Sequence, residues 1–289
     1  PVRPLTPTFH ADVDQWLQLM VSPEDYVLLC RWLAALTWLV HPLVALFLVG
    51  AKAVGKSLLG AGITRLFTTL GSTALEDVFA SFNDAFARSP ICFADETLPK
   101  DFRGNSKTEE LRQFIQAREW PFKRKFLPHA MINGAARVLV ASNNEELLMT
   151  KANLTQEDME AINDRYLYMR VRPEAAEYLK TVDTDRWVQG DAIAEHCLWL
   201  RDNLEWEPDG RFLIKPRDNA VFNTLATRTG LRASCLYWFC MYLLDPAKFD
   251  ADPRSNLLVR IFQGRVLFNI QGIYKCWDTY VSDSKTPSI

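Results

Sequence analysis

The chain alternates between stretches whose apolar residues recur at helical spacing and short apolar runs closed by glycine or polar residues. Asp12 to Met20 and Pro23 to Leu39 have helical spacing, the second with Val27, Leu28, Trp32, Leu36 and Trp38 on a broad apolar face. Leu43 to Val49 is wholly apolar, stops at Gly50 and predicts a buried strand. Leu58, Leu59, Ala61, Ile63, Leu66 and Phe67 then resume helical spacing until Gly71-Ser72 breaks it. Leu75 to Arg88 predicts a further helix, with Val78, Phe79, Phe82 and Phe86 on one side and Pro90 as its stop.

Ile91 to Ala94 is a short strand closing on Asp95-Glu96, and a helix follows from Thr108. Trp120 to Asn133 carries a basic cluster and prolines, which suits a hairpin or loop. Ala136 to Ala141 is the next buried strand, closing on Ser142-Asn143-Asn144. Thr155 to Asn163 reads as a helix opened by a capping box, Thr155 with Asp158, and Tyr166 to Val171 as a strand. Apolar strands alternating with helices predict an α/β fold, a parallel sheet covered on both faces.

Pro173 opens a different region, with helical patterns at Glu174–Lys180, Asp191–Asn203, Asn219–Arg228 and Ala233–Leu244. Pro208-Asp209-Gly210 is a turn, and Arg211 to Ile214 suits a hairpin arm. The expected organisation is an N-terminal helical collar and linker over residues 1–42, an α/β core over 43–172 and a mostly helical C-terminal region over 173–289, with a boundary near 173–185. The last region is open between a lid, a winged-helix-like DNA binder and an oligomerisation cap. The Pro-rich start at Pro1, without methionine, suggests a fragment of a longer polypeptide, and Ser282 to Ile289 a frayed tail.

Composition narrows the class. The 289 residues are 48% hydrophobic and 24% charged, enough for one large or two modest soluble domains. A net charge of −2 leaves room for nucleic acid only at a local basic patch. The six cysteines make no C-x-x-C pair and no zinc spacing with the four histidines, so they read as reduced thiols of a cytoplasmic-type compartment. His196-Cys197 diverge on a helix and do not share a metal. Trp32 to Gly50 is apolar enough to mimic a membrane span, but His41-Pro42 divides it. A span needs about 20 apolar residues in one helix. No membrane partner is expected.

Gly50-Ala51-Lys52-Ala53-Val54-Gly55-Lys56-Ser57, followed by Leu58, fits G-x-x-x-x-G-K-[ST] between a strand and a helix. That arrangement wraps backbone N–H groups and a helix N-terminus around a triphosphate. Lys56 would reach the β/γ-phosphates of ATP and Ser57 a Mg²⁺ ion. An ordinary Gly-rich turn is the bland alternative. Hydrolysis needs more: Asp95 would hold the metal and Glu96 would polarise the attacking water as general base. Asn143 could bond the γ-phosphate or that water, with Asn144 an equal chemical candidate. Arg165 could stabilise transition-state charge, in its own site or a neighbour's. All these groups are expected at the carboxyl ends of their strands. Lys123-Arg124-Lys125, among Trp120, Phe122, Phe126 and His129, forms a basic–aromatic patch suited to gripping phosphates and stacking on bases.

In this order, GAKAVGKS (50–57), ASFND (80–84), ICFADE (91–96), a basic hairpin segment ending at Asn133, VLVASNN (138–144) and NDRYLYMRV (163–171) resemble the superfamily 3 helicases. Among these the likeness is to the poxvirus-type and phage or plasmid primase-helicases, whose motor is an AAA+ module. It covers about Leu43 to Val171. The resemblance implies the phosphate-loop roles for Lys56 and Ser57, metal and base carboxylates at Asp95 and Glu96, and a sensor asparagine at Asn143. It also implies a DNA-gripping position within Lys123, Arg124 and Lys125, with His129 a further candidate. Arg165 matches an arginine finger acting in a neighbouring subunit, which implies a ring, usually a hexamer.

Relatives often show two adjacent arginines where this chain has Asp164-Arg165-Tyr166, so Arg165, Arg170 and Arg172 all remain candidates for the finger. The expectation is a replicative ATP- and Mg²⁺-dependent motor on single-stranded or forked DNA, linked to a primase domain outside this chain and working in the cytoplasm, that of a bacterial host if the chain is phage- or plasmid-encoded. The alternatives are an AAA+ module that remodels protein partners and a structural nucleotide binder.

Overall fold

The computed structural model describes residues 2–96, 108–143, 164–216, 259–262 and 265–268. Contacts group residues 1–150 and 156–219 into one unit, and 151–155 with 220–289 into another. The first unit opens with α1 (Ala11–Met20) and α2 (Pro23–Ala35), then β1 (Ala45–Gly50) and α3 (Lys56–Thr64). Next come β2 (Thr73–Ala74), α4 (Leu75–Val78), β3 (Ile91–Asp95), α5 (Thr108–Gln116), β4 (Glu119–Phe122), β5 (Ala130–Asn133), β6 (Arg137–Ser142) and β7 (Tyr166–Val171). It ends with α6 (Glu174–Leu179), α7 (Thr184–Gln189) and α8 (Ala192–Asn203). In the second unit, β8 (Val259–Phe262) and β9 (Arg265–Phe268) pair antiparallel.

Five strands form a parallel sheet in the order β2-β3-β6-β1-β7, flanked by helices. β1 lies between β6 and β7, and Leu46, Phe47 and Leu48 are fully buried. A strand covered on both faces has no polar side to alternate with, hence the unbroken apolar run from Leu43. The chain leaves β1 toward β2 at the far edge and returns through β3 and β6, so the crevice at the carboxyl end of β1 is the position where such sheets hold ligands.

α2 starts with Ser22, whose hydroxyl accepts from the Asp25 N–H, and Pro23 at the first turn. It stops four residues before Leu39, the expected end. The carbonyls beyond are taken by the start of β6. Ala135 N–H donates to Leu39 O at 2.6 Å, and the buried Arg137 guanidinium donates to Leu36 O and His41 O, each at 3.1 Å. Burial pushes the Arg137 pKa down to about 9, and the carbonyl-rich end of α2 is what receives its charge.

The helix expected over Leu75 to Arg88 is not continuous. It is α4, then a 3₁₀ turn at Asp84–Ala87, and Phe82 is half exposed. Asn83 is the cause. Its buried side chain donates to Val78 O and Pro121 O and accepts from Lys123 N–H at 2.7 Å, so it serves the β4–β5 hairpin instead of a helix. Trp120 of that hairpin packs on Phe114, which also meets Phe79 and Phe86.

α6 packs on α1, and α8 on α2 and α3, so contacts continue through 173–185 and the break between units falls near 219. Arg211 to Ile214 forms turns where a hairpin arm was expected. The helices expected at Thr155–Asn163, Asn219–Arg228 and Ala233–Leu244, together with Asn144 and the Ser282–Ile289 tail, lie outside the described residues. Among the described residues no helix is long and apolar enough to cross a membrane.

Candidate functional site

β1 delivers the chain to Gly50, whose φ of +121° is left-handed; a Cβ there would stand 3.2 Å from Val171 O. Gly55 (φ +90°) closes the loop as the N-cap of α3. A Cβ on Gly55 would lie 2.7 Å from the Trp16 ring, so both its dihedral and its neighbour demand glycine. Trp16 is fully buried and its indole N–H donates to Val54 O at 2.9 Å, so α1 forms the floor of the loop. Ala53 also has positive φ, at 60°, in the middle of the turn.

Lys56 is the first residue of α3 and is buried. Its ammonium donates to Gly50 O at 3.0 Å, Ala51 O at 2.8 Å and Asn143 Oδ1 at 2.8 Å. Burial lowers its pKa; the Glu96 and Asp95 carboxylates oppose that shift and Lys52 adds to it. The next residue, Ser57, donates its hydroxyl proton to Asp95 Oδ2 at 3.3 Å. Asp95 ends β3, and Glu96 follows with φ +62°, its N–H donating to Ala141 O at 2.8 Å. That turn holds the Glu96 carboxylate against Asn143, which donates its backbone N–H at 3.0 Å and its side-chain amide.

Lys56, Asn143 and Glu96 therefore form one hydrogen-bonded chain, with Ser57 and Asp95 beside it. All five line a cavity of about 810 Å³, together with Lys52 to Gly55 and Leu58. It is also lined by Ala176 and Leu179 of α6, Lys180 at its C-cap and Thr184 of α7, none of which the sequence pattern marks as part of a site. Pro173, the expected start of a different region, is the N-cap of α6, which lines this cavity. The Ser57 hydroxyl and Asp95 carboxylate are hard oxygen donors side by side, a set that suits Mg²⁺ when phosphates and water complete its shell.

Arg165 is placed otherwise. It sits at the amino end of β7, its carbonyl accepting from Ala45 N–H at 2.9 Å. Its guanidinium donates to Gln116 Oε1 at 3.3 Å and lies 5.7 Å from the Phe212 ring centroid. The expectation that every group lies at a carboxyl strand end therefore fails for Arg165. It is one strand length, roughly 20 Å at about 3.3 Å per residue, from its own chain's phosphate loop. Arg170 and Arg172 are at the carboxyl end: Arg170 is in register with Val49, and Arg172 pairs with Glu174 at 2.7 Å.

The basic segment is the tip of the β4–β5 hairpin. Lys123 is held by its backbone to Asn83, Arg124 stacks over Phe122 at 5.2 Å, and Lys125 lies 5.1 Å from the Phe126 centroid. Arg124, Lys125 and His129 are exposed. The hairpin runs through Gly134 into the amino end of β6, whose other end carries Asn143.

No family model and no curated protein sequence matches the chain. Solved structures do match. The apo NrS-1 C-terminal region superposes with a TM-score of 0.57 at 16% identity, over 79% of this chain and 53% of that one. An A-form structure of the same region gives 0.55 at 14% identity, over 89% and 60%. The chain thus spans little more than half of those structures. At these identities the likeness is one of fold, and the fold is P-loop NTPase-like, an α/β sheet with a phosphate loop after β1.

Proposed function

We propose that this chain is the motor of a superfamily 3 type helicase, hydrolysing ATP with Mg²⁺ and translocating on single-stranded DNA as a ring, most simply a hexamer. The observation that carries the hydrolytic part is the convergence of Lys56, Ser57, Asp95, Glu96 and Asn143 on one cavity. Lys56 would release its carbonyl partners to meet the β/γ-phosphates, which stabilise its charge better than neutral oxygens do. Ser57 and Asp95 would hold Mg²⁺, which neutralises charge on the phosphates. Glu96 would take the proton of the attacking water while Asn143, already its hydrogen-bond partner, orients that water or senses the γ-phosphate.

The DNA part draws on the basic hairpin and on the sequence resemblance to primase-helicases of phages and plasmids, whose primase would lie outside this chain. A ring draws on Arg165, which is too far from its own loop to act there. A second reading, an AAA+ module that remodels protein partners, draws on the exposed apolar residues Phe126, Leu127 and Met131 of the same hairpin.

One ATPase experiment tests the reading. Turnover of the wild type should rise with single-stranded DNA at low salt, and alanine at Lys123, Arg124 and Lys125 together should abolish that rise. Glu96→Gln should lower turnover about 10²- to 10⁴-fold while nucleotide still binds. Turnover indifferent to DNA would favour the remodelling module; turnover indifferent to Glu96→Gln would leave only a nucleotide binder.

A further inference from the structure

Four aromatic groups accompany the basic triplet in sequence, and the structure separates them. Trp120 is committed to the fold, 4.8 Å from the Phe114 ring and 6.0 Å from Phe79. Phe122 is part-buried and lies under the Arg124 guanidinium. The His129 ring is exposed on the returning arm. Phe126 stands at the tip with 90% of its surface in solvent. Its φ is +62°, a left-handed conformation uncommon for a bulky residue. The hairpin below it is not loose: Asn83 N–H donates to Lys123 O at 3.0 Å, Lys123 N–H to Asn83 Oδ1 at 2.7 Å, and Asn83 Nδ2 to Pro121 O at 2.9 Å. A buried asparagine thus fixes the arm that holds an aromatic ring out in water.

We infer that Phe126 is a base-stacking platform for a single nucleic-acid strand, with Lys125 and Arg124 holding the phosphates that flank the stacked base. The argument rests on charge and shape. A polyanion is drawn to Lys125, whose ammonium lies 5.1 Å from the Phe126 centroid, and to Arg124 beside it, and every base offers the ring a π-face without regard to sequence. Bases in a duplex are already stacked, so the ring selects unpaired strands, which a lysine contacting phosphate does not do. This deepens the DNA reading of the hairpin given above and rests on it.

The full chain is tested with oligothymidylate and with an abasic deoxyribose-phosphate oligomer of equal length, both at one low salt concentration. Phe126→Ala should weaken oligothymidylate binding about tenfold and leave the abasic oligomer unaffected, since stacking on an aromatic side chain is of that order per base. Phe126→Trp should restore binding and Phe126→Leu should not. The inference is overturned if Phe126→Ala weakens both oligomers equally or neither, or if leucine serves as well as tryptophan. It is also overturned if the alanine variant binds both oligomers normally but loses self-association in sedimentation, which would make the ring a protein contact. A wild type that binds neither oligomer removes the DNA reading as well; one that binds both while Phe126→Ala changes nothing removes only the platform.

Discussion

Gly55 and Trp16 show how closely the phosphate loop depends on a residue outside its motif. The loop fits its consensus, yet its curvature is held from below by an indole 39 positions before Gly55 in a chain of 289, at about the number of residues the whole α1–α2–β1 segment occupies. Trp16→Phe keeps one six-membered ring and removes the rest of the indole with its 2.9 Å bond to Val54 O. It should cost about 2 kcal/mol of stability or more, the usual net for one hydrogen bond plus the space left at a fully buried site, and weaken ATP binding with little change in turnover at saturation. Gly55→Ala should be worse, because the added Cβ meets the Trp16 ring at 2.7 Å in a left-handed backbone. Urea unfolding with and without nucleotide checks both. If Trp16→Phe binds ATP as the wild type does, the indole is only a packing residue.

At the level of elements, strands were more legible than helices. The apolar runs ending on Gly50, Asp95, Asn143 and Val171 became β1, β3, β6 and β7 because a buried parallel strand cannot be built otherwise. The Leu75–Arg88 pattern misled because Asn83, an unremarkable polar position in sequence, makes its bonds to residues 38 and 40 positions away. The α6 wall was missed for a similar reason: nothing local in Ala176, Leu179 or Lys180 marks them as facing a cavity formed by residues from the first half of the chain. The stretch from residue 2 to 10 was legible only as Pro-rich, yet it acts as a strap. Arg3 and Arg65 share Asp191, each at 2.7 Å, and His10 N–H donates to His196 Nδ1 at 3.3 Å.

That strap carries a pH dependence. His196 is fully buried, and burial lowers its pKa to about 4, with a further lowering from His10 and an opposing pull from Asp14. The folded value lies below the unfolded value of about 6.5, so between the two the unfolded chain binds more protons. The stabilisation is complete above about pH 6.5 and is lost as pH falls toward 4, by up to about 3 kcal/mol. Urea midpoints at a series of pH values should show this slope in the wild type and a shallower one in His196→Gln. Parallel slopes would assign the acid sensitivity to other groups.

For the whole molecule, the sheet keeps its two chemical ends apart. Lys56, Asp95, Glu96 and Asn143 are at the carboxyl end, while Arg165 and the root of the basic hairpin are at the amino end, and β6 runs between them with Asn143 at one terminus and the hairpin at the other. An arginine at that distance can serve catalysis only on another copy of the chain. Arg165→Ala should therefore bind ATP and turn it over 10³-fold or more slowly, as loss of an arginine finger does. A chain with Lys56→Ala should be equally inactive for the opposite reason. Mixed together, the two variants should regain part of the activity, because some interfaces would join an intact loop from one chain to an intact arginine from the other. A structural role for Arg165, through Gln116 and Phe212, predicts instead a lowered melting temperature and no recovery on mixing. If Arg170→Ala or Arg172→Ala, and not Arg165→Ala, shows the recovery, the finger lies at the carboxyl end of β7 and the subunits must pack by a different face.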